Sequence, residues 1–225
     1  MAGSSFSGRE VLVFGAAGAL GAAVAAAFAD AGALVRGIDH RIPEPSRQLT
    51  GVGYEGVDVL DDEAVGALFD ARPAPWAVLN TVGGYAPARP LAELEQAELR
   101  AQFELNLMSA ALINRHALRL MQPAGRGRIV HTASRAATVT AGSGFAYSVT
   151  KLGVLHLVSM AAAEVRGTAV TVNCVVPSII DTPANRAALP DADHAAWPKP
   201  DQIALSYLYL ASPGSGLVNG AAIPV

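Results

Sequence analysis

Two side chains four residues apart could form an acid–base pair. Tyr147 and Lys151 occupy the ends of the segment Tyr-Ser-Val-Thr-Lys, which places them on one face of a helix. A free tyrosine has a pKa of about 10. An ammonium about 4 Å away at an effective dielectric constant of about 20 contributes about 4 kcal/mol, or roughly three pKa units at most. The pair therefore predicts a phenol that exchanges a proton near neutral pH.

A hydroxyl and the choice of cation strengthen this interpretation. Ser134 follows the apolar stretch 128–132 and precedes Tyr147 by thirteen positions. Lys199 is the only other lysine in a chain that otherwise carries its positive charge on arginine. A lysine ammonium is a compact charge that can lower the pKa of a neighbouring hydroxyl and also hydrogen-bond a ribose. Tyrosine and lysine also fall four apart on helix surfaces without any catalytic role, so the rest of the chain must decide.

Length and composition predict a single domain over residues 1–225 with a large core. The chain has 225 residues, of which 52% are hydrophobic and 16% charged. Its net charge is −3 and its basic residues are scattered, which argues against nucleic acid or a membrane surface as the main partner. We expect a cytoplasmic location, because we find neither a signal peptide nor an unbroken apolar run of membrane-spanning length. Cys174 is the only cysteine, so no intrachain disulfide is expected.

Strand and helix patterns alternate along the whole chain. Buried strands are predicted at residues 10–14, 33–38, 53–57, 76–81, 128–132, 168–176 and 221–225. Helices are predicted at residues 19–31, 61–70, 97–121, 147–165 and 201–211. This alternation predicts an α/β fold with a parallel sheet and helices on both faces. The helix after Tyr147 is apolar on nearly all sides, so we expect it to pack against another subunit as well as the sheet.

A glycine-rich turn joins the first predicted strand to the first helix. It contains Gly15, Gly18, Ala19, Leu20 and Gly21. Glycine in such a turn lets the backbone approach a pyrophosphate, whose charge the helix N-terminus stabilises. A tight strand–helix turn in an alanine-rich chain is the alternative. The position after a strand, before a helix and near the N-terminus favours a dinucleotide site.

An aspartate at the end of the second strand indicates which dinucleotide. Asp39 could accept hydrogen bonds from the adenosine ribose and would repel a 2′-phosphate, which favours NAD(H). NADP(H) is the alternative, because Arg36 and Arg41 flank Asp39 and could bind that phosphate. Asp58 and Val59, after the third strand, are placed to face the adenine, although an ordinary loop aspartate fits the pattern equally well.

Taken in order, these segments resemble the short-chain dehydrogenase/reductase family over essentially the whole chain. The resemblance includes the glycine turn, Asn80-Thr-Val-Gly83, Asn106, Ser134, Tyr147-x-x-x-Lys151 and Asn173-x-Val-x-Pro177. It implies a Rossmann-type doubly wound parallel sheet of about seven strands and hydride transfer between a nicotinamide and a small carbonyl or alcohol. It also implies a homodimer or homotetramer.

The resemblance implies a role for each matching residue. Tyr147 is the expected general acid/base, Ser134 holds the reacting oxygen, Lys151 lowers the tyrosine pKa and binds the nicotinamide ribose, and Asn106 holds a proton-relaying water. The other cofactor contacts it implies are Asn80, Val82, Gly83, Pro177 and Ile179. Thr182 is expected to donate to the cofactor, and it also fits the position of a helix cap before Pro183.

The chain departs from the family pattern in two places. Its second glycine is Gly18, where the family usually has glycine at the position of Ala19, and Ser178 replaces a common glycine after Pro177. Neither change is expected to abolish cofactor binding, because Ala19 is small and Ile179 still offers its backbone.

Some segments are similar to the dihydropteridine reductase branch of the family. These are the glycine turn, the Gly-Gly-Tyr sequence ending at Tyr85, and the stretch from Asp181 to Trp197. That branch lacks the serine and the helix asparagine, whereas this chain has both Ser134 and Asn106. A carbonyl or alcohol substrate is therefore favoured, with a pterin as the alternative and a non-catalytic nucleotide sensor as a third reading.

The remaining polar residues give weaker signals. Tyr85, Asn185, Arg186 and Trp197 are candidates for the substrate pocket, with plain loop packing as the alternative. His131 is interpreted as a core histidine, and the histidine spacing predicts no metal site.

Overall fold

A seven-stranded parallel sheet forms the centre of the molecule in a computed structural model that describes residues 6–85, 88–139 and 142–225. The strands are β1 (Glu10–Phe14), β2 (Leu34–Asp39), β3 (Val52–Gly56), β4 (Ala77–Asn80), β5 (Gly127–Thr132), β6 (Val170–Val176) and β7 (Ala222–Pro224). The helices are α1 (Ala19–Asp30), α2 (Asp62–Asp70), α3 (Gln96–Gln102), α4 (Ser109–Met121), α5 (Phe145–Glu164), α6 (Pro183–Ala188) and α7 (Pro200–Ala211).

The strand order is β3-β2-β1-β4-β5-β6-β7, and each neighbouring pair is parallel. The chain builds the sheet outward from β1 to β3 and then returns to place β4 on the other side of β1. Loops that leave the carboxyl ends of β1 and β4 therefore diverge, which opens a crevice at this reversal. The predicted doubly wound parallel sheet is confirmed.

Apolar residues cover both faces of the sheet. One buried cluster joins the sheet to α2, α4 and α5, and the other joins it to α1 and α7. The central strands read as continuous apolar runs because each is covered on both faces. The two layers hold the carboxyl ends of β1, β4, β5 and β6 at one edge, which is where the predicted site residues occur.

Most predicted boundaries differ from the observed ones by one or two residues, but residues 97–121 do not form one regular helix. Between α3 and α4, Phe103–Met108 forms a turn of π-helix. Asn106 lies in this turn, and the hydroxyl of Ser109 donates to the carbonyl oxygen of Leu105 at 2.5 Å. Such wide turns occur where a side chain is re-aimed within a helix. The short helix α6 was expected only through the alternative interpretation of Thr182 as a helix cap before Pro183.

The helix α5 carries Tyr147 in its first turn and Lys151 one turn later. By length and composition it meets the criteria for a membrane span, which core helices of globular proteins also meet. Its inner face, including Val154, Val158 and Ala161, is buried in the core cluster. Its outer face leaves Leu152 and Met160 half exposed or more, at 51% and 60%.

Candidate active site

The glycine turn is closely packed on the side that faces the sheet. Gly15 has a φ angle of +80°, and a Cβ atom on Gly21 would lie 2.1 Å from the carbonyl oxygen of Gly15. The hydroxyl of Thr81 donates to the carbonyl oxygen of Phe14 at 2.7 Å and would also meet that Cβ atom. A Cβ atom on Gly18 would meet only the carbonyl oxygen of Gly15, at 3.3 Å. The turn is therefore packed most tightly at Gly21, whereas Gly18 lies on its exposed, open side, where an added Cβ atom would make one close contact.

Asp39 is bound to the glycine turn. Its Oδ2 atom accepts a hydrogen bond from the backbone N–H of Ala17 at 3.0 Å, and its Oδ1 atom lies 3.0 Å from Nδ1 of His40. The carboxylate is thus fixed at the end of β2, beside the open side of the turn. Farther along the edge, Asp58 caps its own loop by accepting from the N–H of Leu60 at 2.9 Å, and Val59 is buried.

The turn after β4 is held by two asparagines. The side-chain oxygen of Asn80 accepts from the N–H of Val82 at 3.0 Å. Asn106 bonds both backbone groups of Gly84, accepting from its N–H at 3.0 Å and donating to its carbonyl at 3.1 Å. Asn106 is buried, although asparagine in a helix commonly faces solvent. The π-helical turn directs its amide toward the β4 loop, which a regular helix pattern does not indicate.

Lys151 is buried and points to the end of β5. Its Nζ atom donates to the carbonyl oxygen of Thr132 at 3.0 Å. A Cβ atom on Gly83 would lie 2.8 Å from both Nζ of Lys151 and Oδ1 of Asn106. Only a glycine at position 83 therefore lets these two polar groups approach the β4 turn together. Burial lowers the pKa of Lys151 to about 8.

Tyr147, in the first turn of α5, lies beside Ser134, which follows β5. Burial raises the pKa of the Tyr147 phenol above its usual value, while a hydrogen bond with the Ser134 hydroxyl lowers it by a smaller amount. The ring of Tyr85 packs edge-on against Tyr147, with centroids 5.1 Å apart, and opposes the ionisation of Tyr147. The ring of Tyr85 thus forms an aromatic wall beside the Tyr147 phenol.

The expected lowering of the Tyr147 pKa by Lys151 is not found. The Lys151 Nζ atom is 5.9 Å from the centre of the Tyr147 ring, and Lys151 is absent from the effects that shift the phenol. The physical reason is that Lys151 directs its ammonium to the Thr132 carbonyl. Burial then dominates the phenol pKa, in the direction opposite to the sequence estimate.

The segment after β6 closes the edge beyond Ser134. The carbonyl of Pro177 accepts from the N–H of Arg135 at 2.9 Å, and Ile179 is partly exposed at 44%. The hydroxyl of Thr182 accepts from the N–H of Asn185 at 3.2 Å, so Thr182 caps α6 as the alternative interpretation predicted. Arg186 forms a two-pronged ion pair with Asp181, and Trp197 packs against His194.

Three polar residues under the site have partners that the sequence analysis did not identify, although His131 is a core histidine as predicted. The hydroxyl of Thr132 donates to the backbone carbonyl of Asn80 at 2.7 Å and lies 2.6 Å from the hydroxyl of Tyr207. His131 is buried between Asn80 and Asn114. Their partners lie 17 to 75 positions away in sequence, so no local pattern could have identified them. Within the described part of the chain, no cluster of His, Cys, Asp or Glu is arranged to hold a metal ion.

Comparisons with known proteins place this geometry in a family. A family model described as "Enoyl-(Acyl carrier protein) reductase" matches residues 15–225. The cis-4-hydroxycyclohexanecarboxylate dehydrogenase of Sinomonas cyclohexanicum is 32% identical over 99% of this chain and 97% of its own length. The chain belongs to the short-chain dehydrogenase/reductase family. It is accordingly an enzyme that transfers hydride between a nicotinamide cofactor and a CH–OH or C=O group.

Two further proteins of the family agree with this assignment. The D-threitol dehydrogenase of Mycolicibacterium smegmatis is 31% identical over 95% of this chain and 90% of its own length. A short-chain type dehydrogenase/reductase from Mycobacterium ulcerans superposes with a TM-score of 0.89 at 26% identity, covering 98% of this chain and 89% of that one. The resemblance to the dihydropteridine reductase branch gains no support from these relatives and stays a prediction.

Proposed function

We propose that this short-chain dehydrogenase/reductase uses NAD(H) to interconvert a small secondary alcohol and its ketone, with Tyr147 as the general acid/base. The observation that carries this proposal is the convergence of four side chains at one edge of the sheet. The Ser134 hydroxyl lies close enough to Tyr147 to lower the pKa of its phenol, and a Cβ atom on Gly83 would lie 2.8 Å from both Lys151 and Asn106. A metal-independent proton exchange at an alcohol oxygen needs such a set of donors and acceptors.

The residues present fit a dinucleotide. Gly18 lies on the solvent-exposed side of the glycine turn, so a pyrophosphate could approach the backbone there, at the N-terminus of α1. We propose that the turn and the neighbouring loops contact the cofactor through Gly15, Gly18, Ala19, Leu20, Gly21, Asp58, Val59, Asn80, Val82, Gly83, Pro177, Ile179 and Thr182. When NAD⁺ is bound, its nicotinamide ring would accept the hydride.

The chain's own residues handle the proton. In alcohol oxidation, Tyr147 takes the hydroxyl proton, and Ser134 donates a hydrogen bond that holds the reacting oxygen beside the phenol. Lys151 is held by the Thr132 carbonyl at 3.0 Å, within reach of the β4 turn, and we propose that it binds the nicotinamide ribose. Asn106 is hydrogen-bonded to both backbone groups of Gly84. We propose that Asn106, within the π-helical turn, holds a proton-relaying water.

The position of Asp39 supports NAD(H) over NADP(H). The Ala17 N–H fixes one carboxylate oxygen beside the open side of the glycine turn. A 2′-phosphate at this place would bring a second negative charge against Asp39, and like charges in close contact lower affinity strongly. The carboxylate instead accepts hydrogen bonds from ribose hydroxyls.

A ring-containing alcohol is the substrate class that we favour. Tyr85 packs against Tyr147 and offers an apolar surface next to the reacting phenol. The relative from Sinomonas cyclohexanicum is named for a hydroxylated cyclohexane ring, and we propose that a ring of this kind packs against Tyr85. The relative from Mycolicibacterium smegmatis is named for a polyol, and we propose polyols as poorer substrates because the face of the Tyr85 ring offers them only an apolar contact.

We also propose that the enzyme is a homodimer or homotetramer. Leu152 and Met160 are exposed on the outer face of α5, and Phe103 and Met108 line a neighbouring groove at the π-helical turn. A second copy that covers this face would bury these side chains. Light scattering on the purified protein measures the assembly. The single domain over residues 1–225 and the cytoplasmic location stay predictions.

The test of function uses both cofactors and several substrates. We expect reduction of NAD⁺ with cis-4-hydroxycyclohexanecarboxylate or cyclohexanol, and a preference over NADP⁺ of about tenfold or more, which corresponds to about 1.4 kcal/mol. Threitol and galactitol should react more slowly. Turnover of NADH only with a quinonoid dihydropterin would assign the enzyme to pterin reduction instead. NADH binding without turnover of any of these would indicate a nucleotide sensor.

A further inference from the structure

A chain of hydrogen bonds runs from the core of the protein to the β4 turn. Oδ1 of Asn114 lies 3.3 Å from Nε2 of His131, and Nδ1 of His131 lies 3.2 Å from Nδ2 of Asn80. Oδ1 of Asn80 accepts from the N–H of Val82 at 3.0 Å. Asn80, Asn114 and His131 are all buried, with exposed fractions of 2%, 4% and 0%.

One backbone N–H group fixes which atom donates and which accepts in every hydrogen bond of this series. The Val82 N–H can only donate, so it faces the oxygen of the Asn80 amide and leaves the NH₂ group facing His131. Nδ1 of His131 must then accept, which requires the neutral ring with its proton on Nε2. That proton points at Oδ1 of Asn114. Only this one arrangement of donors and acceptors therefore satisfies all the hydrogen bonds from Asn114 to Val82. Burial beside Lys151 keeps the ring neutral by lowering the pKa of His131 to about 4.

The same strand also holds the backbone of Asn80. His131 pairs with Asn80 in the register of β4 and β5, and Thr132 donates from the opposite face to the Asn80 carbonyl at 2.7 Å. Consecutive residues of β5 thus fix the side chain and the carbonyl of one asparagine. That asparagine fixes Val82, which precedes the Gly83 site where Lys151 and Asn106 meet.

We propose that His131 is a positioning residue for the nicotinamide site, acting as a single neutral tautomer that locks the Asn80 amide and through it the 80–84 turn. This inference rests on the proposed cofactor role of Val82 and Gly83. His131 contacts neither substrate nor cofactor in this account. It acts on cofactor affinity through the turn.

Removing the ring nitrogens should weaken cofactor binding. His131→Leu fills similar space but leaves the buried Asn80 NH₂ without an acceptor, which costs enough to raise the Kd for NADH about tenfold. His131→Gln offers an acceptor and a donor in one side chain and should bind NADH within about threefold of the wild type, since both hydrogen bonds can be remade. At saturating NADH, kcat should change far less than Kd in both variants.

A matched control separates positioning from packing. Ile129 is buried two residues earlier on the same face of β5. Ile129→Val removes one methylene and should lower thermal stability without changing the Kd for NADH. Equal losses of NADH affinity in Ile129→Val and His131→Leu would overturn the proposal, because the effect would then come from general loosening of the strand.

A measurement on the wild type avoids any variant that folds poorly. Long-range ¹H–¹⁵N correlation spectra of the ¹⁵N-histidine protein should give His131 an unprotonated Nδ1 and a protonated Nε2, assigned by the loss of its signals in His131→Gln. A protonated Nδ1 overturns the proposal whatever the enzyme binds. If the tautomer is as expected and NADH binds the wild type but His131→Leu binds equally well, the positioning role fails alone. If the wild type does not bind NADH, the proposed function and the inference fail together.

Discussion

The ammonium of Lys151 lies 5.9 Å from the centre of the Tyr147 ring and donates instead to the Thr132 carbonyl at 3.0 Å. Burial therefore raises the pKa of the Tyr147 phenol, and the contact with Ser134 lowers it by a smaller amount. The ammonium is fixed as a donor to the end of β5, beside Gly83 of the β4 turn. The effect of Ser134 on the phenol can be tested by substitution.

Ser134→Ala should raise the pKa of Tyr147 further, because it removes the hydrogen bond that lowers it. Alcohol oxidation needs the ionised phenol as base, so kcat/KM rises as the pH rises through this pKa. In Ser134→Ala the rise should move to higher pH, and turnover at neutral pH should fall about 100-fold with the loss of a donor to the reacting oxygen. The pH dependence of kcat/KM measures both effects. An unmoved profile would separate Ser134 from the phenol.

Tyr147→Phe should abolish proton exchange while keeping the ring that packs against Tyr85. We expect turnover to fall by about 1,000-fold or more, in the range found for loss of an acid/base group. The Kd for NADH, measured by fluorescence titration, should change by less than about twofold, since the ring and the Lys151 contact remain. Retained turnover would remove Tyr147 from the mechanism.

The placement of Tyr147 and Lys151 on one helix and the glycine turn could be predicted because their residues are close in sequence. Tyr147 and Lys151 are one helical turn apart, and Gly15, Gly18 and Gly21 lie within one strand–helix connection. Alternating apolar segments were enough to predict a parallel sheet with helices on both faces, and the family resemblance added the doubly wound topology. These features depend on local periodicity, which a single sequence carries.

The contacts that set the site's electrostatics could not be predicted in this way. Asn106 reaches Gly84 only because a π-helical turn redirects its amide, and the pattern of residues 97–121 fits a regular helix equally well. Thr132 and Tyr207 are 75 positions apart. The direction of the Tyr147 pKa shift depends on how deeply the phenol is buried, and burial is a property of the assembled tertiary structure.

The glycine spacing can be tested with two alanine variants of the same turn. Gly21→Ala would place a Cβ atom 2.1 Å from the Gly15 carbonyl oxygen, so the turn must move. We expect a loss of about 1–3 kcal/mol in the free energy of unfolding, as for other overpacked sites, together with weaker NADH binding. Gly18→Ala meets only one atom, at 3.3 Å, in an extended backbone conformation, so it should lose much less stability than Gly21→Ala.

Comparison of the two variants also locates the pyrophosphate. If the phosphates approach the open side at Gly18, Gly18→Ala should weaken NADH binding as much as Gly21→Ala does, although it lowers thermal stability far less. Thermal melts and NADH titrations of both variants give the four numbers needed. Unchanged NADH affinity in Gly18→Ala would show that the cofactor does not approach that glycine.

Asp39→Ser should shift the cofactor preference toward NADP(H). The change removes the negative charge beside the glycine turn but keeps a hydroxyl that can accept the Ala17 N–H, so the turn stays in place. The ratio of kcat/KM for NAD⁺ to that for NADP⁺ should fall by about tenfold or more, because a like-charge contact is relieved. Ala29→Ser, a change on α1 away from this edge, is a control that should leave the ratio unaltered. A ratio that does not fall in Asp39→Ser would mean that another group selects the cofactor.

The buried His131 should make the protein sensitive to acid. Its pKa is lowered from the ordinary 6.5 to about 4 in the folded state, chiefly by burial and then by Lys151. The unfolded chain thus binds a proton between pH 6.5 and 4 that the folded chain does not, so the free energy of unfolding decreases as the pH falls through this window. Above pH 6.5 the protonation of His131 does not affect the free energy of unfolding. By pH 4 it has lowered the free energy of unfolding by about 3 kcal/mol.

Carboxylates titrate over part of the same range, so the wild type must be compared with a variant. His131→Gln carries no titratable group at this position, and its free energy of unfolding should fall less steeply between pH 6.5 and 4. Urea unfolding at several pH values measures both slopes, and their difference isolates the histidine. Parallel slopes would mean that His131 takes up its proton in the folded protein, which would contradict its place as a neutral acceptor for Asn80.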